Sequence, residues 1–199
     1  SDQAALRING FYEQLDNHRD AYSGHRYAVN PVAGAELGRV RLQLGYEYVR
    51  DSRAVDRGVP SQNGAPLKGY RDLFFGVRGV NQADIEAHMV RLRAETDVTE
   101  TLKANVSALY ANYDKIYSNA YPATAIINGQ LGVEAYRDPT KRENIIAQAN
   151  VQWKIATGEI DHLILAGTEL TDQDTETERV TGFFNPTQPS AANRRATIK

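Results

Sequence analysis

The feature that most restricts this chain is a side-chain alternation of period two, sustained through several separate stretches. Leu42, Leu44, Tyr46 and Tyr48 interleave with Arg41, Gln43, Gly45 and Glu47. His88, Val90, Leu92 and Ala94 interleave with Met89, Arg91, Arg93 and Glu95. Leu102, Ala104, Val106, Ala108 and Tyr110 interleave with Lys103, Asn105 and Ser107. Ile145, Ala147, Ala149, Val151, Trp153 and Ile155 interleave with Gln148, Asn150, Gln152 and Lys154. Successive side chains of a strand point to opposite faces, so each stretch has one apolar and one polar face. A helical period also fits Leu102, Val106, Leu109, Tyr113 and Ile116, and Ile85, Met89 and Leu92. Asn105, Ser107, Asn112 and Asp114 are poor helix formers, which weighs against it.

The order of the linkers also favours strands. Short ones, rich in Gly or Asp, sit at 36–39, 96–100 and 156–159 and read as hairpin turns. Long ones are expected at 51–83, 114–142 and from 172 to the end. Short and long linkers take turns, which is the layout of an up-and-down membrane barrel with tight turns at one end and long loops at the other. The alternating segments run about ten to thirteen residues; soluble strands average about 5–6, and a tilted strand crosses a bilayer in about 9–11.

Composition narrows the choice. The chain has 199 residues, 41% apolar and 24% charged, with a mean hydropathy of −0.53. No run approaches the ~20 apolar residues of a spanning helix, which leaves a membrane barrel open, because its alternation averages out. With 23 basic and 25 acidic residues, bulk charge does not point to nucleic acid. There is no cysteine, so disulfides and thiolate metal sites are ruled out. Arg or Lys facing lipid at mid-bilayer costs about 2–4 kcal/mol each, so Arg41, Arg91, Arg93, Lys103 and Lys154 must face a wet lumen or pair there with opposite charges. Tyr46, Tyr48, Tyr110 and Tyr113 gather at the ends leading into long loops, and Trp153 lies near a short turn, as in the aromatic girdles of barrels. A soluble sheet with one core face and one wet face gives the same alternation, so pattern alone leaves the two readings level.

The segment Tyr46 to Ser61, which contains Asp51, Arg53, Asp56, Arg57, Gly58, Val59 and Pro60, breaks the tie. It resembles the strand and loop of TonB-dependent siderophore receptors that read roughly D-x-R-x-x-D-R-G-(I/V)-P-S. Asn9-Gly10-Phe11-Tyr12-Glu13 and Asp16-Asn17-His18-Arg19-Asp20 resemble the strand and loop before it. Leu163 to Leu170, with His162 ahead of it, resembles the family's H-x-L-L-x-G-x-E strand, which ends where a long loop begins. The resemblance implies a barrel of about 22 strands with a plug, importing ferric siderophore across the bacterial outer membrane with energy from the TonB complex. The fold expected is therefore all-β: about seven or eight antiparallel strands of a larger transmembrane barrel. Residues 1–199 read as one partial barrel domain with no plug and no TonB-contact segment, ending at Lys199 rather than at a terminal aromatic. Such a slice, with two unpaired edges, is expected to be unstable alone.

Catalytic chemistry finds little support. His18, His25, His88 and His162 lack ligand spacing, so no metal site or cofactor is assigned, and iron enters as ferric siderophore cargo. Asp172, Asp174, Glu176 and Glu178 offer oxygens to calcium, but without a turn glycine they read as a solvated loop. No nucleophile elbow, P-loop or dinucleotide fingerprint occurs, and an enzyme is not expected. A siderophore complex is often anionic with aromatic or amide surfaces, so loop Arg and Tyr are its candidate contacts: Arg53, Arg57, Tyr70, Arg71, Tyr121, Tyr136 and Arg137. The other role open to Arg53 and Arg57 is structural, bridging Asp51 and Asp56. Three functions are carried forward: a TonB-energised siderophore receptor, a passive porin-like channel, and a soluble all-β binding module.

Overall fold

The computed structural model describes residues 3–184 and 195–198. The chain forms β1 (Ala4–Asp16), β2 (Ser23–Leu37), β3 (Val40–Ala54), β4 (Ser61–Gln62), β5 (Ala65–Pro66), β6 (Gln82–Asp97), β7 (Leu102–Pro122), β8 (Leu131–Thr157), β9 (Ile160–Thr177), β10 (Val180–Thr181) and β11 (Ala196–Ile198). Among the described residues there is no helix, so the strand period governs throughout. Seven long strands pair antiparallel in the order β1-β2-β3-β6-β7-β8-β9. β9, β10 and β11 follow one another along the same edge of β8. The small hairpin β4–β5 stands apart. The sheet does not close on itself, since β1 pairs only with β2 and β9 only with β8 among the described residues.

The short turns that join the long strands lie at one end. Residues 38–39, 98–101 and 158–159 join strands there, while 17–22, 55–81 and 123–130 join them at the other. In the two two-residue turns at that end the first position is a glycine with positive φ, Gly38 at 64° and Gly158 at 65°. That is the type II′ geometry, whose twist matches the flanking strands, and any side chain there would be strained.

Three sequence expectations on boundaries need correction. The long strands run from 13 to 27 residues, longer than the alternating segments alone. Residues 114–142 are mostly strand, because β7 continues to Pro122 and β8 begins at Leu131. The alternation that marked these strands fades there, since both faces turn polar above the bilayer zone, yet the ladder persists. Likewise β9 runs to Thr177, so Glu169 lies mid-strand and Asp172, Asp174 and Glu176 belong to the ladder rather than to a loop. From Tyr110 to Pro122 the β7–β8 hairpin rises roughly 40 Å along the strand, at ~3.3 Å per residue.

Register fixes the two faces, since directly opposed residues share a face. One row reads Leu6, Ala33, Leu44, Leu92, Ala108, Ala147 and Leu170 across the seven strands. The neighbouring row on the other face reads Arg7, Val32, Gly45, Arg91, Leu109, Ile146 and Thr171. The first face is apolar from strand to strand and exposed: Leu6 by 68%, Leu44 by 52%, Leu92 by 47% and Leu170 by 72%. A large open apolar surface of this kind is foreign to soluble monomers and natural to a wall that meets lipid. Arg91, Arg93 and Lys154 lie on the opposite face from Leu92 and Trp153, as the alternation predicts.

Rings close the upper margin of the apolar face. Tyr12 opposes Tyr27, Tyr48 opposes His88, and Tyr27 and Tyr48 lie with ring centres 6.0 Å apart. The Tyr48 and His88 rings are 4.9 Å apart, and the Tyr46 hydroxyl lies 2.8 Å from His88 Nδ1. Tyr110 continues the row, its hydroxyl donating to Glu143 at 2.9 Å. Tyr113, expected in this girdle, instead faces inward, where its hydroxyl donates to Met89 Sδ at 3.4 Å. Trp153 marks the short-turn margin, opposite Leu102 and Ile164. The buried apolar core is small (Val55, Ala87, Met89, Ala111, Ala120 and Leu131) and lies at or above the tyrosine row.

Candidate functional site at the upper inner face

The loop 55–81 is built onto the wall rather than free above it. Its hub is Asn81, 4% exposed, which closes the loop where β6 begins. Asn81 Nδ2 donates to the carbonyls of Val55 at 3.0 Å and Ala120 at 2.9 Å. Its Oδ1 accepts from the Ala120 amide at 2.8 Å and the Val77 amide at 3.0 Å. One amide side chain thus ties both ends of the loop to β7. Farther along, Ile126 N donates to the Ser61 carbonyl at 2.8 Å, joining the loop to 123–130.

The motif that carried the sequence resemblance does this anchoring. Asp56 accepts from the Gly58 amide at 2.8 Å, a turn made possible by Gly58 with φ 81°. Asp56 also forms an ion pair with Arg19, and both side chains are largely buried. Arg19 Nε donates to the Arg71 carbonyl at 2.9 Å, so the loop at 17–22 is clamped to two points of 55–81. Arg53 pairs with Asp51 at 3.6 Å. Sequence reasoning proposed an acid for each arginine; the partner of Asp56 is Arg19, which spacing along the chain does not reveal.

Arg57 has no carboxylate partner among the described residues. It reaches across to the inner face of the β7–β8 hairpin, where Tyr117, Tyr121 and Tyr136 face the same side. Its guanidinium lies 4.9 Å from the centre of the Tyr121 ring and donates to the Tyr136 hydroxyl at 3.3 Å. Hydrogen bonding with Tyr117, and then Tyr136, holds it above its ordinary pKa, so it stays charged. Arg179 covers the Tyr136 ring at 4.5 Å and donates to both Asp138 oxygens, at 2.8 and 2.6 Å. That bidentate pairing holds the Asp138 carboxyl below the usual carboxylate range. Arg195 donates to Glu134 at 3.0 Å just above. The rings of Tyr117 and Tyr136, and of Tyr121 and Tyr136, lie 6.0 and 5.8 Å apart.

Of the seven candidate contacts, Arg57, Tyr121 and Tyr136 come together at this hairpin. Arg53 lies at the top of β3, lining a different hollow with His25, Phe74 and Arg78. Tyr70 is an exposed loop residue packed edge-on against Phe75 at 6.4 Å, and Arg71 is exposed with its backbone tied to Arg19. Arg137 takes the other face of β8, between Ser118 and Val180. Sequence reasoning missed Tyr117, Asp138 and Arg179. Tyr117 and Asp138 fell in a stretch read as loop, and the Arg179–Asp138 pairing follows only from the register of β8 with the chain after β9. Among the described residues no three His, Asp or Glu side chains are placed to hold a metal.

No protein-family model and no curated protein sequence matches the chain. Solved structures do. The sheet is similar to BauA, the ferric preacinetobactin receptor of Acinetobacter baumannii, with 17% identity, TM-score 0.77, and 89% of this chain against 27% of that one. It is similar to Fiu, the ferric-catecholate import receptor of E. coli K12, with 19% identity, TM-score 0.78, and 88% of this chain against 30%. It is similar to the ferripyoverdine receptor of the Pseudomonas aeruginosa outer membrane, with 10% identity, TM-score 0.81, and 92% against 25%. The chain spans between a quarter and a third of these receptors.

Proposed function

The chain has the fold of a segment of these receptors, and on that premise we propose that it is part of the wall of a TonB-dependent receptor in the bacterial outer membrane. The whole receptor takes up a ferric siderophore, with the plug and the TonB-contact segment supplied by parts of the receptor other than residues 1–199. The observation that carries this reading is the division of the sheet: an exposed apolar face under a row of tyrosines, backed by a charged face. A soluble module has no use for the first. Arg57, Tyr121 and Tyr136 are the contacts this wall offers the ligand, and the work is binding and passage rather than catalysis. Iron arrives as cargo inside the siderophore complex.

Restoring the intact parent gene to a receptor-deficient strain tests the proposal. Growth on ferric siderophore should return, and should be lost when TonB is deleted. Growth that persists without TonB would move the assignment to a passive porin-like channel.

A further inference from the structure

At the top of β2, β3 and β6 an open hollow of about 360 Å³ is lined by His25, Ser52, Arg53, Phe74, Arg78 and Gln82, among others. Arg57, Tyr121 and Tyr136 take no part in it. By register Ser23, His25, Ser52 and Gln82 stand on the outer face, the one that is apolar lower in the wall. Arg53 belongs to the opposite face and lines the hollow where β3 ends. No carboxylate is among the lining residues. The acids beside the hollow in the ladder are engaged. Asp51 pairs with Arg53 at 3.6 Å, Glu86 pairs with Arg50 at 2.5 Å, and Asp84 accepts from the Gln82 amide. Asp16, opposite Ser23, accepts from the Asn17 amide at 2.8 Å. Arg78 is exposed and enters no ion pair among the described residues. Below the hollow His25 stacks on Tyr27, with ring planes 8° and centres 6.2 Å apart, and Tyr27 meets Tyr48 in the row that closes the apolar band. From His25 to Val29, about 13 Å down the strand, the outer face passes from polar groups through an aromatic ring to aliphatic surface.

We propose that this hollow seats the phosphorylated sugar headgroup of an outer-leaflet glycolipid, whose acyl chains lie along the outer face of β2 and β3 below it. The proposal needs the outer face to meet lipid and needs no particular cargo. The long-loop end of such a barrel faces out of the cell, so lipid at this height belongs to the outer leaflet. Its headgroup meets the wall just above the tyrosine row, and the hollow continues the lipid-facing surface upward. The charge suits a phosphate: a guanidinium offers paired donors to phosphate oxygens, and the charge of Arg78 is not spent on a neighbouring acid. Ser23, Ser52 and Gln82 offer hydroxyl and amide groups to the hydroxyls of a sugar. The outer face of β7, β8 and β9 above the tyrosine row is different. It carries Asp114, Glu143, Asp172, Asp174 and Glu176 against Lys141 and Arg137, and that excess of acid repels a phosphate. An anionic headgroup is therefore directed to the corner formed by β2, β3 and β6.

The test uses the full-length receptor carrying this segment, stripped of lipid in detergent, with lipid A and phosphatidylglycerol as probes and native mass spectrometry as the readout. Wild type should hold lipid A about tenfold more tightly than phosphatidylglycerol, since only the first has sugar hydroxyls and phosphates together. Inorganic phosphate should not displace it. Arg78→Gln should weaken lipid A binding about tenfold and leave phosphatidylglycerol binding unchanged, and Arg78→Lys should recover part of the loss. His25→Leu, made separately, should weaken lipid A binding about threefold. Asp174→Asn, in the acidic sector, should have no effect. Every variant is first checked for wild-type resistance to unfolding in detergent. Equal binding of the two lipids, displacement by inorganic phosphate, or lipid A binding that survives both Arg78→Gln and His25→Leu would overturn the proposal. Uptake of ferric siderophore by Arg78→Gln should match wild type, so failure here leaves the uptake reading standing.

Discussion

Below the tyrosine row every Lys, Arg, Asp and Glu of the strands lies on the inner face, and above it both faces carry charge. In the lower wall Arg91 meets Glu47 at 2.9 Å, Arg41 meets Asp97 at 3.3 Å and Glu95 at 3.7 Å, and Lys103 meets Asp97 at 3.3 Å. Their outer neighbours are uniformly apolar. In the upper wall Lys115, Asp138 and Arg142 look inward, while Arg50, Glu86, Arg137, Lys141, Glu143, Asp172 and Asp174 look outward. The lower wall has hydrocarbon on one side, so every charge must sit on the other, and cations and acids crowded together compensate one another. The upper wall has water on both sides, and nothing in the solvent forces that grouping. Charge on both faces of the upper sheet follows from water on both sides, whereas the one-sided charge of the lower wall follows from the bilayer.

The sharpest way to break this comparison is to exchange the faces at one register. Leu92 and Arg93 are adjacent in β6, the first outward at the middle of the apolar band and the second inward beside Glu95. Leu92→Arg should cost about 2–4 kcal/mol, the penalty for a cation on the lipid face near mid-bilayer. Arg93→Gln should cost within about 1 kcal/mol, since exposed ion pairs contribute little. Folding of the full-length receptor into lipid vesicles under a urea gradient measures both. Equal costs at the two positions would mean that the outer face does not meet hydrocarbon.

That division was legible in the chain itself because period two is a direct imprint of a sheet between two solvents. Leu42, Leu44, Leu92, Val106 and Ala149 each signalled their face through their neighbours. The upper wall was read poorly for the same reason. Once water lies on both sides, Tyr117, Asp138 and Asp174 no longer alternate with apolar residues, so their strands passed for loop. The contacts that matter there bring together residues such as Arg19 and Asp56, or Arg57 and Tyr136, separated by an intervening strand or more. The D-R-G-V-P-S motif did locate the loop, but its Asp and Gly speak for a turn, and only the folded register says what that turn is clamped to.

A middle-sized effect should separate the two buried asparagines of the upper wall, which lie opposite one another where β6 meets β7. Asn81 makes four hydrogen bonds to backbone groups, whereas Asn119, fully buried, has no partner for either amide atom among the described residues. Asn81→Ala strands buried carbonyls and amides and should destabilise the loop 55–81 by about 2–4 kcal/mol. Asn119→Leu removes an amide that bonds to none of them, and should be near neutral by the same reasoning. Hydrogen exchange in 55–81 reads the difference, and global unfolding should barely change, since the lower wall does not depend on this loop. Similar exchange in both variants would show that the loop is held by Arg19 and Asp56 instead.

The smallest expected effect concerns the upper edge, where Arg179 ties the start of β10 to Asp138 on β8. The folded pKa of Asp138 is depressed, first by the hydrogen bonds from Arg179 and then by the charge of Arg179 and of Lys115. A depressed carboxyl adds stability that is fully present above its unfolded value, near about 3.9, and is lost as pH falls through the lower folded value. Amide protection at Val180 and Gly182, whose partners are backbone groups of β8, should therefore hold from neutral pH down to about 4 and decline below it. Asp138→Asn should give the low-pH behaviour at every pH, while the lower wall keeps its protection. The lower pairs are each backed by long strands hydrogen-bonded on either side, so losing one carboxylate leaves the ladder intact; β10 has only two residues paired to β8, and a single ion pair is a large part of what keeps it there.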